Sequence, residues 1–154
     1  MEEKFYYKAP IGNLEIRIEN DAVTMIKMVD TTDKSTVKSE FSKKVKTQLD
    51  EYFSKKRKNF DLKINPKGTD FQKAVWKELT KIPYGKTKSY QEIAQLVGSP
   101  NAQRAVGMAC NKNPILLVIP CHRVIAKSGA LTGFACGIKT KEYLLDLENF
   151  YSKI

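Results

Sequence analysis

Cys121 and His122 stand side by side in Pro120-Cys121-His122-Arg123-Val124, and His122 is the only histidine in the chain. A thiol becomes a strong nucleophile only as the thiolate, which an imidazole, a cation or a helix N-terminus favours. The pair therefore suggests covalent chemistry at sulfur. Two facts keep residue types alone from settling it. Free cysteines are mostly buried and behave as small hydrophobes. Neighbours on an extended strand also point to opposite faces, so the pair can cooperate only if Pro120 turns the chain or a water relays the proton.

The elements around this pair follow from periodicity. Ile115 to Ile119 is an apolar run that ends at the motif, so the cysteine closes a buried stretch. Upstream, Thr69 caps a helix with Phe71, Val75, Trp76 and Leu79 inward. Ser89 then caps a short helix with Ile93, Ala94 and Val97 inside, Gly98-Ser99-Pro100 turns, and Asn101 to Cys110 forms a second helix. Two short helices joined by a tight glycine-containing turn outline a helix-turn-helix. Ala102, Ala105, Gly107 and Ala109 keep the second helix narrow, and Arg104 is its one long cation. Glycines 129, 133 and 137 punctuate a loop after the cysteine, and Lys139 to Phe150 closes as a helix with Tyr143, Leu144, Leu147 and Phe150 inward.

The first thirty residues read instead as antiparallel strands, with Leu14, Ile16 and Ile18 alternating and Ala22 to Val29 forming a second run. Phe41, Val45, Leu49, Tyr52 and Phe53 recur at helical spacing, a helix that should lie across the sheet. The run Lys55 to Lys58 fits a solvated turn after a helix C-terminus. Asp61 to Ile64 reads as a short strand, and Asn65-Pro66-Lys67-Gly68 as the boundary between domains at 1–66 and 67–154.

Charge sharpens the division. Residues 1–65 carry 14 Lys and Arg against 11 Asp and Glu, and the remainder 13 against 6, so most of the net +10 lies beyond the boundary. Between Lys81 and Ala130 there are seven basic side chains and one carboxylate, Glu92. Such a field attracts a polyanion, with strong salt dependence. Three cysteines and one histidine make neither a disulfide framework nor a zinc site, so no metal or cofactor is expected. No stretch has the apolar length of a membrane span, and Met1 to Lys4 lacks the features of a signal peptide, so a cytoplasmic protein is expected.

Taken together these residues resemble the 6-O-alkylguanine-DNA alkyltransferases, or methylated-DNA–protein-cysteine methyltransferases. The resemblance is carried by Pro120-Cys121-His122-Arg123-Val124, Ile82-Pro83-Tyr84-Gly85, Thr87-Lys88-Ser89-Tyr90, Arg104-Ala105-Val106-Gly107 and Asn113-Pro114 in the family's order and spacing. Ala9-Pro10-Ile11-Gly12 and Gln48 to Phe53 match more loosely. It implies an α/β (α+β) chain: an RNase H-like antiparallel sheet with a helix, then a winged-helix domain.

It also implies roles. Cys121 attacks the alkyl carbon and keeps the alkyl group, His122 draws off its proton through a water, Glu148 orients the imidazole, and Asn113 holds the active-site turn. Tyr90 acts on the target's phosphate or base, and Arg104 fills the gap left by the extruded nucleotide. Ala102, Ala105 and Gly107 allow minor-groove approach, and Ser89, Arg123, Val124, Phe134 and Ala135 complete the substrate- and DNA-facing set. The implied partner is double-stranded DNA carrying alkylated guanine, bound by a monomer. One departure stands out: many members carry Tyr-Ser-Gly-Gly where this chain has Phe134-Ala135-Cys136-Gly137, so two hydroxyls are missing.

Three other functions make different demands. A damage-sensing binder of the same fold replaces the reactive cysteine, commonly with tryptophan, and Cys121 argues against it. A cysteine hydrolase requires repeated turnover. A transcription regulator requires sequence-specific binding to undamaged duplex.

Overall fold

The computed structural model describes residues 2–30, 37–128 and 137–149, which fall into two compact units, Met1–Lys67 and Gly68–Ile154. In the first, β1 (Glu2–Ala9), β2 (Gly12–Glu19) and β3 (Ala22–Val29) form an antiparallel sheet in sequence order. Asn20 and Asp21, with φ of 53° and 58°, supply the left-handed pair that a two-residue hairpin needs to match strand twist. The register aligns Phe5, Ile16 and Ile26 across the three strands, and all are buried. Helix α1 (Glu40–Phe53) starts at a Ser39–Ser42 capping box and buries Val45, Leu49 and Tyr52. Tyr7 pins it to β1 by donating its hydroxyl to Asp50 at 2.6 Å.

The strand expected at residues 61–64 is a single parallel bridge between Ile64 and Val23. The Gln48 side chain takes the backbone N–H and C=O of Asp61, at 2.9 and 3.2 Å, so these groups do not enter a ladder. In the run after α1, Arg57 folds back onto Glu51 while Lys55, Lys56 and Lys58 stay exposed.

The second unit opens with α2 (Asp70–Leu79), capped by Thr69 and Gln72 and burying Val75, Trp76 and Leu79. A Cβ on Gly68 would lie 2.5 Å from the Trp76 ring, so glycine is what lets the chain pass the indole. The strand pair β4 (Lys88–Ser89) and β5 (Val124–Ile125) is parallel. The helix-turn-helix is α3 (Tyr90–Leu96), capped by Ser89 and Glu92, and α4 (Gln103–Asn111). The latter starts two residues later than expected, and its N-cap, Ala102, offers no side-chain acceptor. Trp76 ties α2 to α4 by donating its indole N–H to the Ala109 carbonyl at 2.8 Å.

Helix α5 (Ile138–Asn149) buries Leu144, Leu145 and Leu147. Tyr143, expected inward, is 41% exposed, and the inward position is taken by Lys141, 1% exposed. The reason is angular: Lys141 sits three and four residues before Leu144 and Leu145, on their stripe, which Tyr143 does not share. The expected inward Phe150, Phe134, Ala135, Cys136 and most of the glycine loop lie outside the described residues. No helix among the described residues is long and apolar enough to cross a membrane.

Candidate active site

The segment before Cys121 is folded by tight turns rather than extended as a strand. Val118 donates to the Leu116 carbonyl at 3.0 Å around Leu117, whose φ is +76°. Cys121 donates to the Ile119 carbonyl at 2.8 Å around Pro120, at φ −82° and ψ 67°. Both are three-residue γ-turns, and the form at Leu117 is the strained one. A 3₁₀ turn over Cys121–Arg123 follows. Pro120 thus turns the chain, yet no direct hydrogen bond joins Cys121 to His122 Nδ1.

Asn113 holds this loop together. Its Oδ1 accepts from the Ile115 N–H at 2.9 Å, and its Nδ2 donates to the Ile119 carbonyl at 2.7 Å and to Cys121 Sγ at 3.2 Å. One amide therefore sets the loop's shape and places an N–H on the sulfur.

His122 is wholly buried, and its Nε2 lies 2.6 Å from Glu148 Oε2. Its Nδ1 has no hydrogen-bond partner among the described residues. Burial lowers the imidazole's pKa against the pull of Glu148, and Arg123 and Lys141 lower it further, so the ring is neutral. Burial alone would raise Glu148. The hydrogen bond from His122, with the hydrogen bonds and charge of Arg123, outweighs it and brings the carboxyl to about 2. A neutral imidazole beside a carboxylate carries its proton on Nε2, which leaves Nδ1 as an acceptor.

Arg123 corrects one expectation. Placed by resemblance among the substrate- and DNA-facing residues, it is buried and turned inward. It donates Nε and Nη2 to Glu148 at 2.7 and 3.1 Å and Nη1 to the Ile82 carbonyl at 2.7 Å. Its planar fork is used on a planar carboxylate, where such pairs are strongest. The Gly85 N–H also points to Glu148 Oε1, at 3.4 Å. Ile82-Pro83-Tyr84-Gly85 is thus the shelf against which the ion pair is built.

Lys141 is the feature that residue patterns did not bring forward. Burial lowers its pKa, while the nearby thiols of Cys121 and Cys110 oppose that change. Its Nζ lies 5.7 Å from the centroid of the Tyr90 ring. The available signal was a lysine on the apolar stripe of α5, seven residues before Glu148 and on the same face. Cys110, the second buried thiol, has its pKa raised to about 12 by burial and by Cys121, so it stays protonated.

The other predicted residues cluster around α3 and α4. Arg104 and Ala105 are exposed, and Ala102 and Gly107 are partly so. Tyr90 packs beside Gly107, where a Cβ would stand 3.8 Å from the ring. Ser89 spends its hydroxyl capping α3 and lines a cavity of about 430 Å³ with Thr87, Lys88, Gln91, Glu92, Gln95 and Lys127. Val124 is buried in β5.

Known proteins carry the same organisation. Residues 4–66 match the 6-O-methylguanine DNA methyltransferase ribonuclease-like domain, and residues 70–150 match the DNA binding domain of the same proteins. The class so defined is a DNA-binding methyltransferase with a ribonuclease-like unit ahead of its cysteine-bearing unit. A methylated-DNA–protein-cysteine methyltransferase of Methanosarcina acetivorans is 43% identical over 148 residues, spanning 92% of this chain and 95% of the relative. The crystal structure of Mycobacterium tuberculosis O6-methylguanine methyltransferase superposes with a TM-score of 0.88 at 41% identity, covering 97% of this chain and 94% of that one. The M. tuberculosis protein in complex with DNA gives a TM-score of 0.86 at 42% identity, over 96% and 92% of the two chains. The chain belongs to the methylated-DNA–protein-cysteine methyltransferase family.

Proposed function

We propose that this protein repairs DNA by direct reversal, with Cys121 taking the alkyl group from the 6-oxygen of an alkylated guanine. The observation that carries the mechanism is the buried His122. Its Nε2 is tied to Glu148 while Nδ1 is left as an acceptor, one residue from a sulfur held by Asn113. The thiol proton passes to Nδ1 through one bridging water, because no group among the described residues, the thiol included, hydrogen-bonds Nδ1 directly. Sulfur attacks the alkyl carbon in line. The S–C bond forms as the C–O bond breaks, the electron pair returns to the base, and the proton from the thiol ends on the restored guanine.

The surroundings favour a thiolate. The Asn113 amide N–H points at sulfur, and the buried Lys141 ammonium is within electrostatic reach of the thiol. The product is a neutral thioether with no leaving group, so each protein acts once.

The units divide the work. Residues 1–66 form the ribonuclease-like domain, and residues 67–154 bind DNA and accept the alkyl group. A guanine in the stack is out of reach of Cys121, so the nucleotide is rotated out at a cost of a few kcal/mol. Helix α4 enters the minor groove, where Ala102, Ala105 and Gly107 permit close approach and readout is largely sequence-blind. Arg104 occupies the gap, and Tyr90, beside Gly107, acts on the target nucleotide. Lys88 and Lys127, beside Ser89 at a cavity whose one carboxylate is Glu92, suit the sugar-phosphate backbone. The Val124 carbonyl and the backbone near Ala135 read the guanine edge, with Phe134 as the pocket wall. The protein works as a monomer in the cytoplasm.

Incubation with excess duplex carrying 6-O-methylguanine, followed by intact mass and peptide mapping, tests this. One added methyl on Cys121 per restored guanine is expected. An unmodified, folded protein still bound to the lesion would make it a damage sensor instead, and repeated turnover would make it a hydrolase.

A further inference from the structure

Helix α4 has two unlike faces. Val106, Ala109 and Cys110 are buried, while Arg104, Ala105, Met108, Asn111 and Lys112 are exposed. On the exposed face Arg104 and Met108 stand four residues apart in one row, and Lys112, the C-cap residue, follows four residues after Met108. Met108 is 61% exposed, more than any other large apolar side chain among the described residues. Its neighbours Ala105 and Gly107 have little or no side chain, so the thioether stands clear of the helix surface. Cations flank it in the row, so whatever covers it carries negative charge at its rim and apolar surface between.

Resting on the repair function above, we propose that Met108 is an apolar wedge. It presses into the minor groove about 6 Å along α4 from Arg104 and loosens the base stack beside the extruded nucleotide. Apolar side chains inserted at the minor groove unstack base steps in this way. Lys112 sets the helix against the phosphates, and Met108 meets sugar and base edges between it and Arg104. Methionine suits a protein that acts in any sequence, because an unbranched, polarizable side chain adapts to varied surfaces and makes no demand on base identity. Arg104 fills the gap after extrusion, whereas Met108 acts on the intact neighbouring step. Met108 is thus a positioning residue for the DNA rather than a catalytic one.

The test compares Met108→Ala, Met108→Leu and Met108→Lys. Each is assayed for single-turnover repair of 6-O-methylguanine in duplex and in single-stranded DNA of the same sequence. Unstacking is read by the fluorescence of 2-aminopurine placed next to the lesion, in a Cys121→Ser background. Met108→Ala is expected to slow duplex repair about tenfold and to diminish the fluorescence rise, while single-strand repair changes less than about twofold. Leucine restores both signals. Lysine steepens the salt dependence of binding by about one unit without restoring the duplex rate, whereas alanine leaves that slope unchanged.

Duplex repair at the wild-type rate by Met108→Ala, or an equal loss on duplex and single strand, overturns the wedge. Failure of the wild-type protein to transfer a methyl group would instead refute the repair function, and the fluorescence measurement would still judge Met108.

Discussion

Replacing Gly107 with alanine separates what α4 needs for itself from what it needs for DNA. Glycine inside a helix is less favourable than alanine by about 0.8–1 kcal/mol. Nothing in the protein demands it here: the new Cβ would meet Tyr90 at 3.8 and 4.0 Å, ordinary van der Waals contact. Gly107→Ala is therefore expected to stabilise the protein by up to about 1 kcal/mol, raising Tm by about 2–4 °C for a chain of this size. The same methyl sits on the surface of α4 that is assigned to the minor groove. Holding the backbone away from the groove by a methyl's thickness should weaken binding to lesion duplex about tenfold, near 1.4 kcal/mol. Thermal denaturation followed by circular dichroism reads the first effect, and fluorescence anisotropy with a labelled duplex, in a Cys121→Ser background, reads the second. A more stable variant that binds duplex as tightly as before would refute close approach at Gly107. A less stable one would show that the glycine serves the fold.

Other expectations follow from the buried cluster and from α4. Glu148→Gln removes the carboxylate shared by His122 and Arg123; a loss of about 3–5 kcal/mol in urea denaturation, with slowed transfer, is expected from leaving a buried guanidinium without its counter-charge. Acid should destabilise the protein in two stages. The lowered His122 contributes stability that is complete above its unfolded pKa of about 6.5 and is lost as pH falls toward its folded pKa. Glu148, brought from 4.5 to about 2, contributes stability present above about 4.5 that is lost between there and about 2, on the order of 3 kcal/mol. Unfolding midpoints that are flat from pH 7 to 3 would contradict both shifts. Arg104→Ala should impair repair of lesion duplex more than reaction with free 6-O-benzylguanine, and equal losses in the two assays would remove its role in extrusion. Cys121→Ser should abolish transfer while retaining DNA binding, as gel shift and mass measurement would show.

Much of this architecture is legible where local chemistry and periodicity agree. Leu14, Ile16 and Ile18 alternate because one face of β2 is buried, and Thr69 and Ser89 announce helix starts because their side chains accept backbone N–H groups. Harder to read were features decided by partners distant in sequence. Asp61 to Ile64 has strand-like residues, but Gln48, thirteen positions earlier, takes its first backbone groups. Arg123 looks like a DNA contact in a basic segment until Glu148, 25 residues later, turns it inward. Lys141 is one of two lysines on α5, and only its phase relative to Leu144 and Leu145 marks it as buried. The two γ-turns rest on Asn113, whose role came from family resemblance rather than from spacing.

In the proposed mechanism the chemistry of Cys121 depends on α5, an element that follows it in the chain. Lys141 and Glu148 lie on one face of that helix, seven residues apart, and a ribosome makes them after the cysteine they serve. Until α5 docks, the imidazole lacks the Glu148 carboxylate that meets its Nε2, and Lys141 is not buried within electrostatic reach of the thiol. Reactivity is thereby coupled to completion of the fold. Under the proposed mechanism, a partly synthesised or partly unfolded chain lacks the groups that activate its thiol, which matters for a protein that acts only once.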